Sequence, residues 1–362
     1  MRQDRAQTGN VLGKKSDRAT KEKKAAKQSK SPKSGAEQES SRPRLIGIIR
    51  GTETTFPDGL VHHINTEYGD KGIRAAFIEL DAVRMDGYME YDVILDRISH
   101  EVPFLRSFLK WAALRGAYVV NNPFWWSADD KFIDNVIAAG AGVVVPRTVI
   151  LPNKEHTPNT SDMTYRNIRY PLDWDATFKY VGFPAFMKPH DGGGWRGVTK
   201  VRNAEEAFAA YDASGTDCMM LQEGIEFEDY FRCYGIGRSA VRIMRYNPDA
   251  DSVARYFDVP ETPVSVDLLD RMERDVLALC RALGYDMNTV EFAVRDGIPY
   301  AIDFMNPAPD ADYHSVGQEN YEWVVETMSD FLVARAREDR RAKQFTANGA
   351  LEPRPADEGV RS

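Results

Sequence analysis

The stretch Phe186-Met187-Lys188-Pro189-His190-Asp191-Gly192-Gly193-Gly194-Trp195-Arg196-Gly197-Val198 decides how the chain is read. Its first three residues close an apolar run, Phe183–Lys188, with the character of a strand. Four glycines then fall within six positions: Gly192, Gly193, Gly194 and Gly197. Glycine at that density lets successive backbone N–H groups turn toward one point and wrap an anion. Lys188 at the strand end adds a compact positive charge to the same place. The lysine precedes the glycines and no Gly-Lys-Ser/Thr ending follows, so this is not a Walker loop. No Gly-x-Gly-x-x-Gly opens a helix here, which excludes a dinucleotide fingerprint. Taken alone, the loop could equally be a glycine-rich hairpin with an exposed lysine.

Strands and helices alternate on the N-terminal side of this loop. Arg44–Gly51 reads as a buried strand and turn, followed by a helix at Gly59–Tyr68 and strands at Ala75–Leu80 and Tyr91–Leu95. A helix at Ser107–Arg115 and a strand at Ala117–Asn121 complete the unit. That order indicates an open, mostly parallel α/β layer ending near residue 125. From Ser127 a capped helix reaches about Ala139, and a strand spans Ala141–Leu151. C-terminal to the loop, strands are expected near Cys218–Glu223, Cys233–Ile236, Ala240–Arg245, Val290–Arg295 and Tyr300–Asp303. Long helices are expected at Val266–Leu283 and Glu319–Ala334.

Two further segments carry polar residues in a pattern. Thr289–Pro307 reads as strand, glycine turn, strand, with Glu291 and Asp303 on the paired strands and Asn306 just beyond. Oxygen donors from one or two carboxylates, completed by water and phosphate, suit Mg²⁺. A solvated acidic hairpin has the same sequence signature. No His or Cys accompanies these acids, which argues against zinc. In Met220–Gly235 a strand ends at Gln222-Glu223 and resumes after an acidic break. Exposed backbone groups there could read a base edge, and Glu228 could hold a ribose.

Together the three segments resemble an ATP-grasp domain, most closely the RimK-like carboxylate–amine ligases, over roughly Arg44–Ala334. The resemblance implies an N-terminal parallel-sheet domain at 44–125 and a two-part ATP-grasp fold at 126–336, divided near 215. Tails at 1–43 and 337–362 are expected to be disordered. It implies Lys131 and Lys188 as nucleotide lysines and Gly192, Gly193, Gly194 and Gly197 as the phosphate loop. Gln222, Glu223 and Ile225 match the adenine linker, with Glu228 as the ribose ligand. Arg232 and Arg242 match the arginines near the reacting groups, and Glu291, Asp303 and Asn306 the metal set. The implied activity is ATP-dependent joining of a carboxylate to an amine or thiol through an acyl-phosphate. ATP and Mg²⁺, or Mn²⁺ in its place, would be required. The family ends its motif with an acid, one residue and Asn; here Phe304-Met305 separate Asp303 from Asn306. Either the strand bulges by one residue or Asn306 is not a ligand.

Composition sets outer bounds. The chain has 362 residues, 43% hydrophobic and 11% aromatic, enough for sizeable cores, which excludes a wholly disordered protein. Residues 1–44 hold 13 Lys and Arg against 5 acids, while the whole chain carries a net charge of −8. The acidic remainder argues against a nucleic-acid groove on the body, leaving the basic segment as a solvated tail or a docking arm. Three cysteines without metal spacing fit a reducing, cytoplasmic setting. No apolar run is long enough to cross a membrane. His62, His63, Arg97, His100 and His190 are secondary candidates for substrate contact, and the oligomeric state is open. A phosphotransferase or a non-catalytic ATP-binding scaffold are the alternatives to a ligase.

Overall fold

The computed structural model describes residues 42–125, 130–193, 196–251, 254–306, 308–338, 343–345 and 351–353. Residues 1–41, Trp126, Ser127, Asp129, Gly194 and Pro307 lie outside the described residues, and with them most of the expected basic tail and the Ser127 cap. Pro43–Ser362 forms one compact unit, and it holds every element below.

A parallel four-stranded sheet comes first: β1 (Arg44–Ile49), β2 (Ile73–Phe77), β3 (Val93–Asp96) and β4 (Tyr118–Val120), in the order β2-β1-β3-β4. Helix α1 (Phe56–Tyr68) joins β1 to β2, and α2 (Pro103–Leu114) joins β3 to β4. Alternate residues face opposite sides of a strand. Accordingly Ile46 and Ile48 pack on Phe56, Leu60 and Ile64 of α1. Ile49, Ile94 and Val119 meet Phe108, Leu109 and Ala112 of α2. Both helices begin with Pro in the first turn, where the missing N–H has no intrahelical partner to lose.

Helix α3 (Lys131–Gly140) follows, with Asp130 as its N-cap accepting from Ile133 N at 3.0 Å. The strand expected over Ala141–Leu151 is confined to β5 (Thr148–Leu151). Pro146 cannot donate to a ladder, and the preceding residues run as an irregular lead whose Val144 carbonyl accepts from Ala301 N at 2.9 Å. A short helix α4 (Asp162–Tyr165), α5 (Trp174–Val181), β6 (Ala185–Pro189), β7 (Thr199–Val201), α6 (Ala204–Asp212) and β8 (Met219–Glu223) follow. They form an antiparallel sheet in the order β5-β8-β6-β7, whose core includes Leu151, Met187, Leu221, Val181 and Ala207.

A second antiparallel sheet has the order β10-β9-β11-β12, from β9 (Asp229–Ile236), β10 (Ala240–Arg245), β11 (Met287–Arg295) and β12 (Ile298–Phe304). Helix α7 (Val266–Ala282) covers one face with Met272, Val276 and Leu279 against Phe231, Cys233, Val290 and Phe292. Ser265 caps it by accepting from Leu268 N at 3.3 Å.

After a short helix α8 (Tyr313–Val316), the long α9 (Gln318–Arg337) returns to the first sheet. Val324, Met328, Leu332 and Val333 enter the same core as Ile46, Leu60 and Ile64. Truncating one such residue, Leu332→Ala, is expected to cost about 2–5 kcal/mol. The return is locked by Asp312. Its Oδ1 accepts from Thr55 N at 2.9 Å, Phe56 N at 3.1 Å and Thr55 Oγ1 at 2.8 Å, and its Oδ2 from Thr54 N at 3.1 Å. A carboxylate from the far end of the chain thus caps α1, whose own Thr55 makes no side-chain cap. The tail expected after residue 337 contains two paired strands, β13 (Lys343–Phe345) and β14 (Leu351–Pro353).

Candidate nucleotide and metal site

Lys131 opens α3, and its backbone N donates to His190 O at 2.8 Å, tying the helix start to the base of the glycine loop. Its ammonium reaches Asp303 Oδ1 at 3.1 Å. Lys188 lies two residues along β6 from Phe186, the cross-strand partner of Gln222. Gln222 is 4% exposed; its Oε1 accepts from Lys188 Nζ at 2.8 Å and its Nε2 donates to Thr148 Oγ1 at 3.2 Å. The side chain of Gln222, a residue expected at the adenine linker, thus holds the Lys188 ammonium in place. Burial pulls the Lys188 ammonium down to about 8, with Lys131 adding to the fall and Asp303 and Glu291 resisting it. Two lysines and two carboxylates that were far apart in sequence are therefore electrostatic neighbours.

The glycine loop takes the conformation its composition allows. Gly192 and Gly197 have φ of 82° and 70°, where L side chains are strained. A Cβ on Gly197 would also lie 3.0 Å from the Pro189 ring, whereas Gly193 faces open space. The linker after β8 is fixed by arginines that the sequence reading did not single out. Glu223 pairs with Arg147 at 3.0 Å and with Arg295 at 3.1 Å. Burial pushes its carboxyl up, but the two arginines outweigh that and hold it below the usual range. Ile225 packs beside Tyr230 and Tyr246. Glu228 is exposed at the start of β9, its Oε1 accepting from Asp296 N at 3.3 Å.

Glu291 and Asp303 are direct cross-strand partners on β11 and β12. The register shifts between Glu291 and Phe292, so β12 bulges, but on the N-terminal side of Asp303. The extra residue before Asn306 is taken up at buried Met305, whose φ is 121°. The Asn306 side chain is turned back on its own chain, Oδ1 accepting from Ala308 N at 3.2 Å. Asp303 has a side chain 59% exposed, and Glu291 only 21%. Partial burial works to raise the Asp303 carboxyl, yet Lys131 and Lys188 outweigh it and hold it below the ordinary range. Burial raises Glu291, with Arg232 opposing and the Asp303 charge reinforcing. Among the described residues no group of three His, Cys, Asp or Glu could cage a metal. Two carboxylates at neighbouring sheet positions fit a cation that takes its remaining ligands from phosphate and water, as Mg²⁺ does.

Arg232 sits opposite Glu291 on β9. Its side chain is 12% exposed, its Nε stands 3.8 Å from Glu291 Oε1, and that Nε has no hydrogen bond among the described residues. Its Nη2 donates to Thr289 Oγ1 at 3.5 Å and the guanidinium lies over the Tyr246 ring at 5.6 Å, which leaves Nε as the group able to bond an anion. Arg242 shares this sheet face but is engaged by Glu319 at 2.6 Å and Asn320 at 3.0 Å. Arg97, a candidate for substrate contact, is instead wholly buried. It bonds Glu53 Oε2 at 2.9 Å and the Pro309 carbonyl at 2.6 Å, joining the first sheet to the segment after β12. His190 bonds through its backbone at the loop base, and its ring Nδ1 lies 3.2 Å from the Cys218 carbonyl oxygen. His62 and His63 lie on α1, and nothing in the described geometry brings them to the cluster.

No family model matches the chain. It is similar to the D-alanine–D-alanine ligase of Polynucleobacter asymbioticus, 26% identical over 189 residues, covering 48% of this chain and 54% of that protein. It is also similar to the enzyme of the same name from Ralstonia nicotianae, 27% identical over 161 residues, covering 40% and 48%. The chain thus spans about half the length of the curated relatives it matches. Among solved structures, D-alanine–D-alanine ligase from Bacillus anthracis complexed with ATP superposes with a TM-score of 0.57 at 17% identity, covering 83% of this chain and 100% of that one. A RimK domain ATP-grasp protein from Sphaerobacter thermophilus does so with 0.57 at 15%, covering 80% and 99%. At these identities the likeness shows the fold.

Proposed function

We propose that this ATP-grasp chain is an ATP-dependent ligase that joins a carboxylate to an amine or a thiol and releases ADP and phosphate. The observation that carries the reading is the meeting of Lys131, Lys188, Glu291 and Asp303 in one cluster, with under-partnered Arg232 behind it. In this reading residues 44–125 lead into an ATP-grasp domain at 126–336. Gly192, Gly193, Gly194 and Gly197 cover the phosphates, Gln222, Glu223 and Ile225 line the adenine, and Glu228 holds the ribose. Mg²⁺, or Mn²⁺, would be held by Glu291, Asp303 and Asn306 and would neutralise charge on the phosphates.

Lys131 and Lys188 spread the charge of the phosphoryl group in flight, the main protein contribution to such a transfer. Arg232, with Arg242 beside it, holds the substrate carboxylate. One carboxylate oxygen attacks the γ-phosphorus, the bond to the ADP oxygen breaks, and an acyl-phosphate forms. The amine then attacks the acyl carbon and phosphate leaves. Closure of the His190–Gly197 loop keeps water from the activated acyl group. Among the described residues no helix is long and apolar enough to cross a membrane. Free cysteines, two of them buried, fit a reducing cytoplasm.

The relatives' names put amino acids, D-alanine first, at the head of the substrate panel. The test is ADP release from ATP·Mg²⁺ across paired acids and amines, with mass spectrometry of the product. ADP release that needs both partners supports the ligase. Phosphate appearing on an acceptor, with no amine needed, is the phosphotransferase outcome. ATP binding without turnover on any pair is the scaffold outcome.

A further inference from the structure

We propose that Tyr230 positions the Glu291 carboxylate for a divalent cation, by keeping it from closing onto Arg232; this rests on reading Glu291 and Asp303 as cation ligands. Tyr230 lies two residues before Arg232 on β9, opposite Ala293 of β11. Ala293 has no side chain beyond Cβ, so the phenol ring crosses toward Glu291, and its hydroxyl donates to Glu291 Oε2. The ring is clamped: Phe227 stands edge-on at 5.2 Å, Tyr246 lies at 5.8 Å, and Tyr230 is 7% exposed. The hydroxyl therefore comes from a fixed point.

Across from it, Arg232 and Glu291 occupy directly paired positions, from which a guanidinium and a carboxylate ordinarily close to a two-pronged bond. Here they stop at 3.8 Å, and the Arg232 Nε makes no hydrogen bond among the described residues. Because Tyr230 holds one carboxylate oxygen, Glu291 cannot turn both toward the arginine. Oε1 is left 3.8 Å from the Arg232 Nε, on the strand paired with the one that carries Asp303. A carboxylate closed on arginine would present Mg²⁺ with a neutralised pair and the wrong lone pairs, and Mg²⁺ tolerates little departure from octahedral oxygen geometry. Partners that orient a ligand without touching the metal change affinity about 10–100-fold.

The test uses the full chain saturated with a non-hydrolysable ATP analogue and titrated with Mn²⁺, the free ion being followed by electron paramagnetic resonance. Tyr230→Phe keeps the ring and removes the hydroxyl. It is expected to weaken Mn²⁺ binding about tenfold or more, while melting temperature and metal-free analogue affinity stay as in the wild type. Adding Arg232→Met removes the competitor and is expected to restore Mn²⁺ affinity. Arg232→Met alone is expected to bind Mn²⁺ at least as tightly as the wild type, which reads the same competition without touching Tyr230. Unchanged Mn²⁺ affinity in Tyr230→Phe, or a loss that Arg232→Met does not recover, overturns the proposal. Unchanged affinity in Glu291→Gln would instead remove Glu291 from the ligand set, and the positioning role with it.

Discussion

Lys188→Met separates a lysine kept for nucleotide from one kept for stability. In the protein free of nucleotide and metal, burial lowers the Lys188 ammonium from 10.5 to about 8. That displacement corresponds to about 3 kcal/mol against the charged form inside the fold. Below about pH 8 the lysine is protonated both folded and unfolded, so the cost is felt in full. As pH rises toward the unfolded value the folded state sheds its proton first, and stability increases. Between about pH 7 and about pH 9.5 the gain is about 2 kcal/mol. Methionine has no such term. It also leaves the Gln222 carbonyl oxygen without its donor, a loss of about 1–3 kcal/mol that is the same at both pH values. Urea unfolding of both proteins at the two pH values is the assay. The stability difference is expected to move by about 2 kcal/mol in favour of the wild type at the higher pH. At neutral pH the variant is expected to be near wild-type stability and to have lost ATP turnover. Parallel pH responses would show that Lys188 is not a buried cation.

Asp312→Ala removes the cap of α1 and is expected to cost about 2 kcal/mol or more by thermal or urea unfolding, since three backbone N–H groups lose their acceptor. Burial works to raise the Asp312 carboxyl, but donors on Thr54, Thr55 and Phe56 prevail and hold it below the ordinary range. Its contribution is therefore present at neutral pH and lost in acid, so wild type and Asp312→Asn should converge in stability as pH falls below about 4. Asp303→Asn and Glu291→Gln should each abolish turnover with the fold intact, checked by circular dichroism beside an ADP assay. Asn306→Ala should lower activity deeply at limiting Mg²⁺ if its amide swings from Ala308 to the cation; near-normal activity at all Mg²⁺ levels would leave it a turn residue.

The parallel sheet was legible because its strands are short apolar runs broken by glycine and its helices carry apolar residues one turn apart, as Leu60 and Ile64, although that helix starts at Phe56 rather than at the expected Gly59. The glycine loop was legible for a similar reason: glycine takes the positive φ found at positions 192 and 197 without strain. What could not be read is what depends on distant pairing. Nothing near Gln222 announces that its amide will meet Lys188, because the bond exists only once β6 and β8 are side by side. Arg147 and Arg295 converge on Glu223 from opposite sides of it in sequence. Helix α9 is amphipathic in sequence, but its partner is a sheet some 270 residues earlier. Arg97 carries a ligand-like position at the end of a parallel strand, where open sheets bind ligands. Its partner Glu53, lying in an undistinguished turn, turns it into an internal strut.

Activation of a substrate carboxylate by ATP at the Lys131–Lys188–Asp303 cluster leaves a mark in oxygen transfer. An acid from the amino-acid panel, labelled with ¹⁸O in its carboxylate, is turned over with ATP·Mg²⁺ and its amine, and the released phosphate is weighed by mass spectrometry. One ¹⁸O is expected in each phosphate released, since the acyl-phosphate passes a carboxylate oxygen to phosphorus. Unlabelled phosphate released alongside ADP would contradict that transfer.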